Sequence, residues 1–163
     1  MLRAIDSSLV TITSWIVASL TALMCCVVLL GVFTRYVLND ALPWTEEAAR
    51  FSLLWMAWLG GGLAVRKGAH IAAEFVIDLL PAKPRAAIVL IGQVAVIFFL
   101  GICVYYGFGL FQRVSFQSTV ALGVTMQLPY AAVPVGAALM IYHVLIVMIC
   151  GSDKVARDSE LHV

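Results

Sequence analysis

Charged residues interrupt an otherwise apolar chain only at intervals, and the intervals predict the elements. Ser7 to Thr34 is a run of 28 residues without a charge, Phe51 to Val65 one of 15, Ala86 to Gln112 one of 27 and Val114 to Ser152 one of 39. A helix rises about 1.5 Å per residue, so about 20 residues cross an apolar layer about 30 Å thick. The first and third runs each make one crossing, with length left for tilt. The second run is short, but Pro43-Trp44-Thr45-Glu46-Glu47 reads as an earlier helix start. Thr45 is the expected N-cap, which puts both glutamates in the first turn, where the helix dipole favours anions. Two crossings of the fourth run would need about 40 residues plus a turn, so one is expected. It opens at Pro129, after a polar loop over 112–127, and Pro134 lies a turn inside, where it predicts a kink. The pattern predicts a single all-α membrane domain over 1–163, with four transmembrane helices at 8–34, 46–66, 86–112 and 129–150.

Composition strengthens the membrane assignment. The chain is 63% hydrophobic and 12% charged, with a mean hydropathy of +1.05. Soluble domains are about 45–50% apolar and about 25% charged, and a small fold cannot hide such an excess from water. A net charge of +1 leaves no basic surface for nucleic acid. The positive charges also predict orientation. Arg3, Arg66, Lys67, Lys83, Arg85, Lys154 and Arg157 fall on one side, and Arg35, Arg50 and Arg113 on the other. The positive-inside rule then puts both termini in the cytoplasm. The first apolar run exceeds a 7–15-residue signal h-region and no A-x-A site closes it, so a retained helix is expected.

At depth the predicted spans hold no Asp, Glu, Lys or Arg, whereas ion paths and proton relays carry such residues there. That silence favours a supporting bundle over a self-sufficient coupled carrier. His143 is the one histidine inside a span, and His70 lies at a boundary, so the pair does not offer haem two axial ligands at one depth. A packed or interfacial His143 is expected. Cys25, Cys26, Cys103 and Cys150 form no C-x-x-C and are expected to pack as small apolar residues. Gly60-Gly61-Gly62, with Ala57 and Ala64, gives small-xxx-small spacing that admits a close helix neighbour from this chain or another.

Two polar stretches remain. In the segment over 35–50, Glu46 and Glu47 stand four and three residues before Arg50, within reach of an intrahelical ion pair, and Arg35 can reach the same carboxylates. Such a network would fix the first two helices against each other. In the segment over 66–85, Ile71, Phe75 and Leu79 are spaced by four, opposite a Glu74/Asp78 pair. This suits a short interfacial helix between spans 2 and 3, or an extension of span 2.

The ordered set Arg35, Asn39, Trp44-Thr45-Glu46-Glu47, Arg50, Trp55, Gly60, Arg66, Gly68 and His70 resembles the small, DctQ-like membrane subunit of TRAP (tripartite ATP-independent periplasmic) transporters. The motif covers residues 30–80; size and layout extend the likeness along the chain. The resemblance implies a small permease subunit in the bacterial inner membrane, not an enzyme and without a cofactor of its own. It implies a large multi-helix DctM-like partner that carries sodium ions and an organic acid, a periplasmic binding protein that delivers the substrate, and a lipid surround. On this view Arg35, Trp44, Glu46, Glu47, Arg50, Trp55, Gly60, Gly61, Arg66 and His70 serve structure and assembly. Arg113, Gln117 and Ser118 are the candidate contacts with the binding protein. The competing readings are the membrane anchor of a haem- or quinone-dependent oxidoreductase and a small stand-alone exporter.

Overall fold

The computed structural model describes residues 2–66 and 82–150; side chains at the extreme helix ends, over 2–5, 82–87, 149–150 and at residue 89, are outside that description. The chain is all-α. Helix α1 spans Leu2–Tyr36, α2 Pro43–Arg66 and α3 Ala82–Arg113; a one-turn α4 at Gln127–Tyr130 leads into α5, Ala132–Cys150. Among the described residues, four stretches are long and apolar enough to cross a membrane: Asp6–Tyr36, Pro43–Arg66, Leu90–Arg113 and Gln127–Met148. Helix α1 is the longest, with 35 residues. At 1.5 Å per residue it measures about 52 Å, more than a bilayer core is thick, so it crosses tilted or projects beyond the core. The proposed interfacial helix, with Gly68, His70, Glu74 and Asp78, and the basic tail with Lys154 and Arg157 lie outside the described residues.

The helices form an open row. Helix α2 packs between α1 and α5, and α5 packs on to α3, while α1 and α3 make no extended contact. A row has two broad faces. Large apolar side chains accordingly stay exposed along both outer helices, among them Trp15, Leu29 and Phe33 on α1 and Ile91, Phe98 and Tyr105 on α3. In water this would be untenable; in a bilayer such faces meet lipid tails or another protein. Cys25 and Cys26 are on this outer surface and not in the packed interior, which corrects the expectation that they fill helix contacts.

Close backbone approach holds the row together. A Cβ added at Gly136 of α5 would stand 2.5 Å from the Trp58 Cβ and 3.2 Å from its backbone carbon in α2. One at Gly31 of α1 would stand 2.7 Å from the Thr45 hydroxyl. Gly61 and Gly62 face Met140, Leu139 and His143 of α5, and Gly60 faces Val17 of α1. The glycine run therefore serves two neighbours within this chain.

Polar side chains inside the helices return their hydrogen bonds to the backbone. Thr11 donates to the Ser7 carbonyl at 2.9 Å, Thr21 to Val17 at 2.8 Å and Ser52 to Ala48 at 2.8 Å. No water in a bilayer core would satisfy these hydroxyls, so i−4 back-bonding is how they are tolerated there. Pro134 acts differently from a simple mid-helix kink. It sits in the first turn of α5 and has no N–H for the Tyr130 carbonyl, so the helix is interrupted at Ala131 and restarts with Val135 N–H on the Ala131 carbonyl at 3.2 Å.

Candidate functional site: polar clusters at the two ends of the helix row

At one end of the row, the short α1–α2 connection meets the long loop before α4. Helix α1 leaves through Asn39, whose φ of 51° lies in the left-handed region that asparagine tolerates better than most side chains. The Asp40 N–H closes back on the Thr34 carbonyl at 3.1 Å. Helix α2 begins at Pro43, whose fixed φ suits a first helical position. Thr45 is thus inside the first turn and not the N-cap. Its hydroxyl donates to the Leu42 carbonyl at 2.7 Å, and its side chain is buried against Gly31.

The glutamates divide their work. Arg35 of α1 pairs with Glu46 of α2, with both side chains about half exposed. Glu47 instead turns to the 112–127 loop, where its two oxygens accept the backbone N–H groups of Ala121 at 3.1 Å and Leu122 at 3.0 Å. Arg50 is exposed and forms no ion pair among the described residues, so the expected four-residue network resolves into one helix–helix pair and one helix–loop clasp. The loop carries its own scaffold. Ser118 and Thr125 form a β-bridge, the Thr119 N–H bonds the Val124 carbonyl at 2.8 Å, and Gly123 takes a φ of 66° at the turn. Trp55 adds a second tie, its indole N–H donating to the Leu128 carbonyl in α4 at 3.1 Å. Trp44 is half-buried beside this junction. Arg113, Gln117 and Ser118 remain exposed at the rim, and Phe116 and Val120 are 97% exposed, so the loop presents a mixed apolar and cationic surface away from the row. Between α1 and α2, under the Arg35–Glu46 pair, lies a cleft of about 230 Å³ with Val28, Val32 and Leu42 on its walls.

The opposite end holds a cluster that the charge pattern did not reveal. Asp6 of α1 is only 3% exposed and is paired with Arg66, the last residue of α2. Both guanidinium bonds converge on one carboxylate oxygen, Oδ2, with Nε at 3.1 Å and Nη2 closer. The other oxygen, Oδ1, has no hydrogen-bond partner and stands 3.9 Å from Nδ1 of His143 in α5. His143 has no exposed surface, and neither ring nitrogen has a partner. Tyr142 packs against its ring edge-on at 5.5 Å. A charged pair at the edge of an apolar run looks solvated in sequence. Here α1 continues to Leu2, one turn beyond Asp6, and folds the carboxylate inward between α2 and α5. Spans without charge at depth thus do not keep charge out of the packed interior, where Asp6 is buried. The available signal was the combination of an acid near the start of one span, an arginine ending the next and a histidine near the end of the last.

Comparison with known proteins bears on this geometry. The family model described as "Tripartite ATP-independent periplasmic transporters, DctQ component" matches residues 24–153, a range that includes the α1–α2 junction, the loop and all of α5. The chain is 31% identical over 145 residues to the sialic acid TRAP transporter small permease protein SiaQ of Vibrio cholerae, covering 89% of this chain and 82% of that protein. It is 32% identical over 122 residues to the C4-dicarboxylate TRAP transporter small permease protein DctQ of Rhodobacter capsulatus, covering 74% and 52%. A third relative, the sialic acid TRAP transporter permease protein SiaT of Haemophilus influenzae, is 27% identical over 128 residues that make up 78% of this chain and only 21% of that longer protein. The chain belongs to the DctQ-component family of the tripartite ATP-independent periplasmic transporters, and is a small permease subunit of the bacterial inner membrane rather than an enzyme.

Proposed function

We propose that this subunit braces a large, DctM-like membrane subunit during sodium-coupled import of an organic acid. The open row of helices carries this reading. Four helices in a row enclose no path across the membrane, but they offer two wide apolar faces for a partner. The small-permease region matched in SiaT is likewise part of a much longer permease protein. The carboxylate class of the substrate is inferred from the printed names of the sialic acid and C4-dicarboxylate relatives. The excess of Lys and Arg at the Arg66 end supports an N-in, C-in orientation, which puts the Glu47-clasped loop in the periplasm. There the loop, held in shape by Glu47 and Trp55 and rimmed by Arg113, Gln117 and Ser118, forms part of the surface that receives the binding protein.

The oxidoreductase-anchor reading fares worse. His143 has no exposed surface, with Asp6, Tyr142 and the Gly62 position around its ring, which leaves no open face for a macrocycle. The deciding experiment joins purification to transport. A tagged subunit should bring down a much larger polytopic protein, and reconstituted uptake should require both that protein and a soluble binding protein. Uptake by this subunit alone would favour the exporter reading. With the complex in hand, Arg113→Glu should raise the binding-protein concentration needed for half-maximal uptake several-fold at unchanged maximal rate. An unchanged half-saturation point would remove Arg113 from the docking surface.

A further inference from the structure

The buried cluster at the Arg66 end is unused by the bracing role, and its geometry is incomplete in one specific way. Asp6 directs a single oxygen to Arg66, leaving Oδ1 without a partner. Across a 3.9 Å gap the imidazole of His143 is fully enclosed, also without a partner on either nitrogen. Buried polar groups are nearly always satisfied, and an orphaned donor–acceptor pair facing each other calls for an explanation. We propose that Asp6 and His143, with Arg66, form a proton-binding site that latches α5 to the first turns of α1.

The step is a simple protonation. A proton from bulk water adds to a ring-nitrogen lone pair of neutral His143, giving an imidazolium whose Nδ1–H points at Asp6 Oδ1; no other bond is made or broken. A hydrogen bond needs a separation near 2.9 Å, so the two groups must close by about 1 Å. Among the described residues, the charged groups facing His143 are Asp6 from α1 and Arg66 from α2, the described side chains of α3 carry no charge before Arg113 at its far end, and Tyr142 is the titratable neighbour on α5 itself. Burial opposes the added charge, the carboxylate attracts it and the guanidinium repels it, so the two charged neighbours act with opposite sign. Mechanically the site matters because α1 is otherwise joined to the row by α2. Closing the gap ties the outer helix directly to α5 across α2, making the angle of α1 respond to protons at that end of the row.

The test is histidine-selective nitrogen NMR on the full chain with its large partner subunit in nanodiscs. His143 is assigned by the resonance lost in His143→Gln. On acidification from pH 8 to pH 5 the resonance should pass from the neutral to the imidazolium position, and a through-space correlation to the Asp6 carboxylate carbon should appear. Asp6→Asn should weaken proton binding at His143 at least tenfold, and Arg66→Gln should strengthen it. A merely structural cluster would leave His143 neutral across this range, with no correlation to Asp6. The wild-type titration stands alone if a variant does not accumulate: a His143 that stays neutral to pH 5 overturns the proposal. So does a midpoint that is the same in wild type and either variant.

Discussion

Arg35 and Arg66 look alike in sequence, each an arginine closing an apolar run, and the structure gives them different weights. The Arg35–Glu46 pair is about half exposed on both sides. Exposed pairs contribute about 0–1 kcal/mol, because solvent screens them and ordering two long side chains costs entropy. The Arg66 and Asp6 side chains are 15% and 5% exposed. Removing one member of a buried pair costs about 3–5 kcal/mol, since the remaining charge is left desolvated and alone. Arg66→Ala is therefore expected to destabilise the subunit by several kcal/mol more than Arg35→Ala, measured as the difference in denaturation midpoint in detergent. Equal losses would mean that the Asp6–Arg66 pair is solvated in the membrane. Asp6 was the residue least visible beforehand: its partners lie 60 and 137 positions away, so no local pattern could pair it with Arg66 and His143.

The elements themselves are strongly encoded. Runs of apolar residues bounded by charges define four long helices, because a backbone in lipid must satisfy its own hydrogen bonds. Local chemistry set the details less securely. Pro43 rather than Thr45 begins α2, since proline is preorganised for that place and the threonine hydroxyl finds the Leu42 carbonyl. Pro134 breaks the last crossing into α4 and α5 where a kink was expected, because its missing N–H falls opposite the Tyr130 carbonyl. Between elements, the decisive position is Gly136, which lets α5 touch the backbone of Trp58. A methyl group there meets backbone, which cannot swing aside, so Gly136→Ala should cost about 1–3 kcal/mol by overpacking. It should also lower the yield of complex with the large subunit by separating α2 from α5. Wild-type thermal stability in this variant would show that the two helices slide to accommodate it.

For the molecule as a whole, the row arrangement means that most apolar surface lies outside the subunit's own packing. A brace for a larger protein needs such a surface, whereas a self-contained carrier would close it around a path. The two ends of the row are pinned differently, by a carboxylate gripping loop amides at one end and by a buried ion pair at the other. Orientation across the membrane is a whole-molecule property with a direct check. In a cysteine-free background, Val120→Cys should be labelled by an impermeant maleimide added outside spheroplasts, and Lys154→Cys only after lysis. The reverse pattern would invert the assignment of the loop to the periplasm.

The sequence by itself determined the membrane class, the four crossings and the polar stretch at the first helix junction. These follow from one-dimensional quantities, the lengths of apolar runs and the places where charge is tolerated. The family was also legible, because its motif falls within one stretch of the chain, from Arg35 to His70. Only the tertiary structure decided how the helices are ordered side by side, why Glu47 serves the distant loop and not Arg50, and that Asp6, Arg66 and His143 meet in a buried cluster. The physical reason is common to all three. In lipid, nearly every face of an apolar helix is equally acceptable to the solvent, so hydrophobicity cannot choose a neighbour. The choice falls to close backbone contact and to a few polar groups whose partners lie far away along the chain.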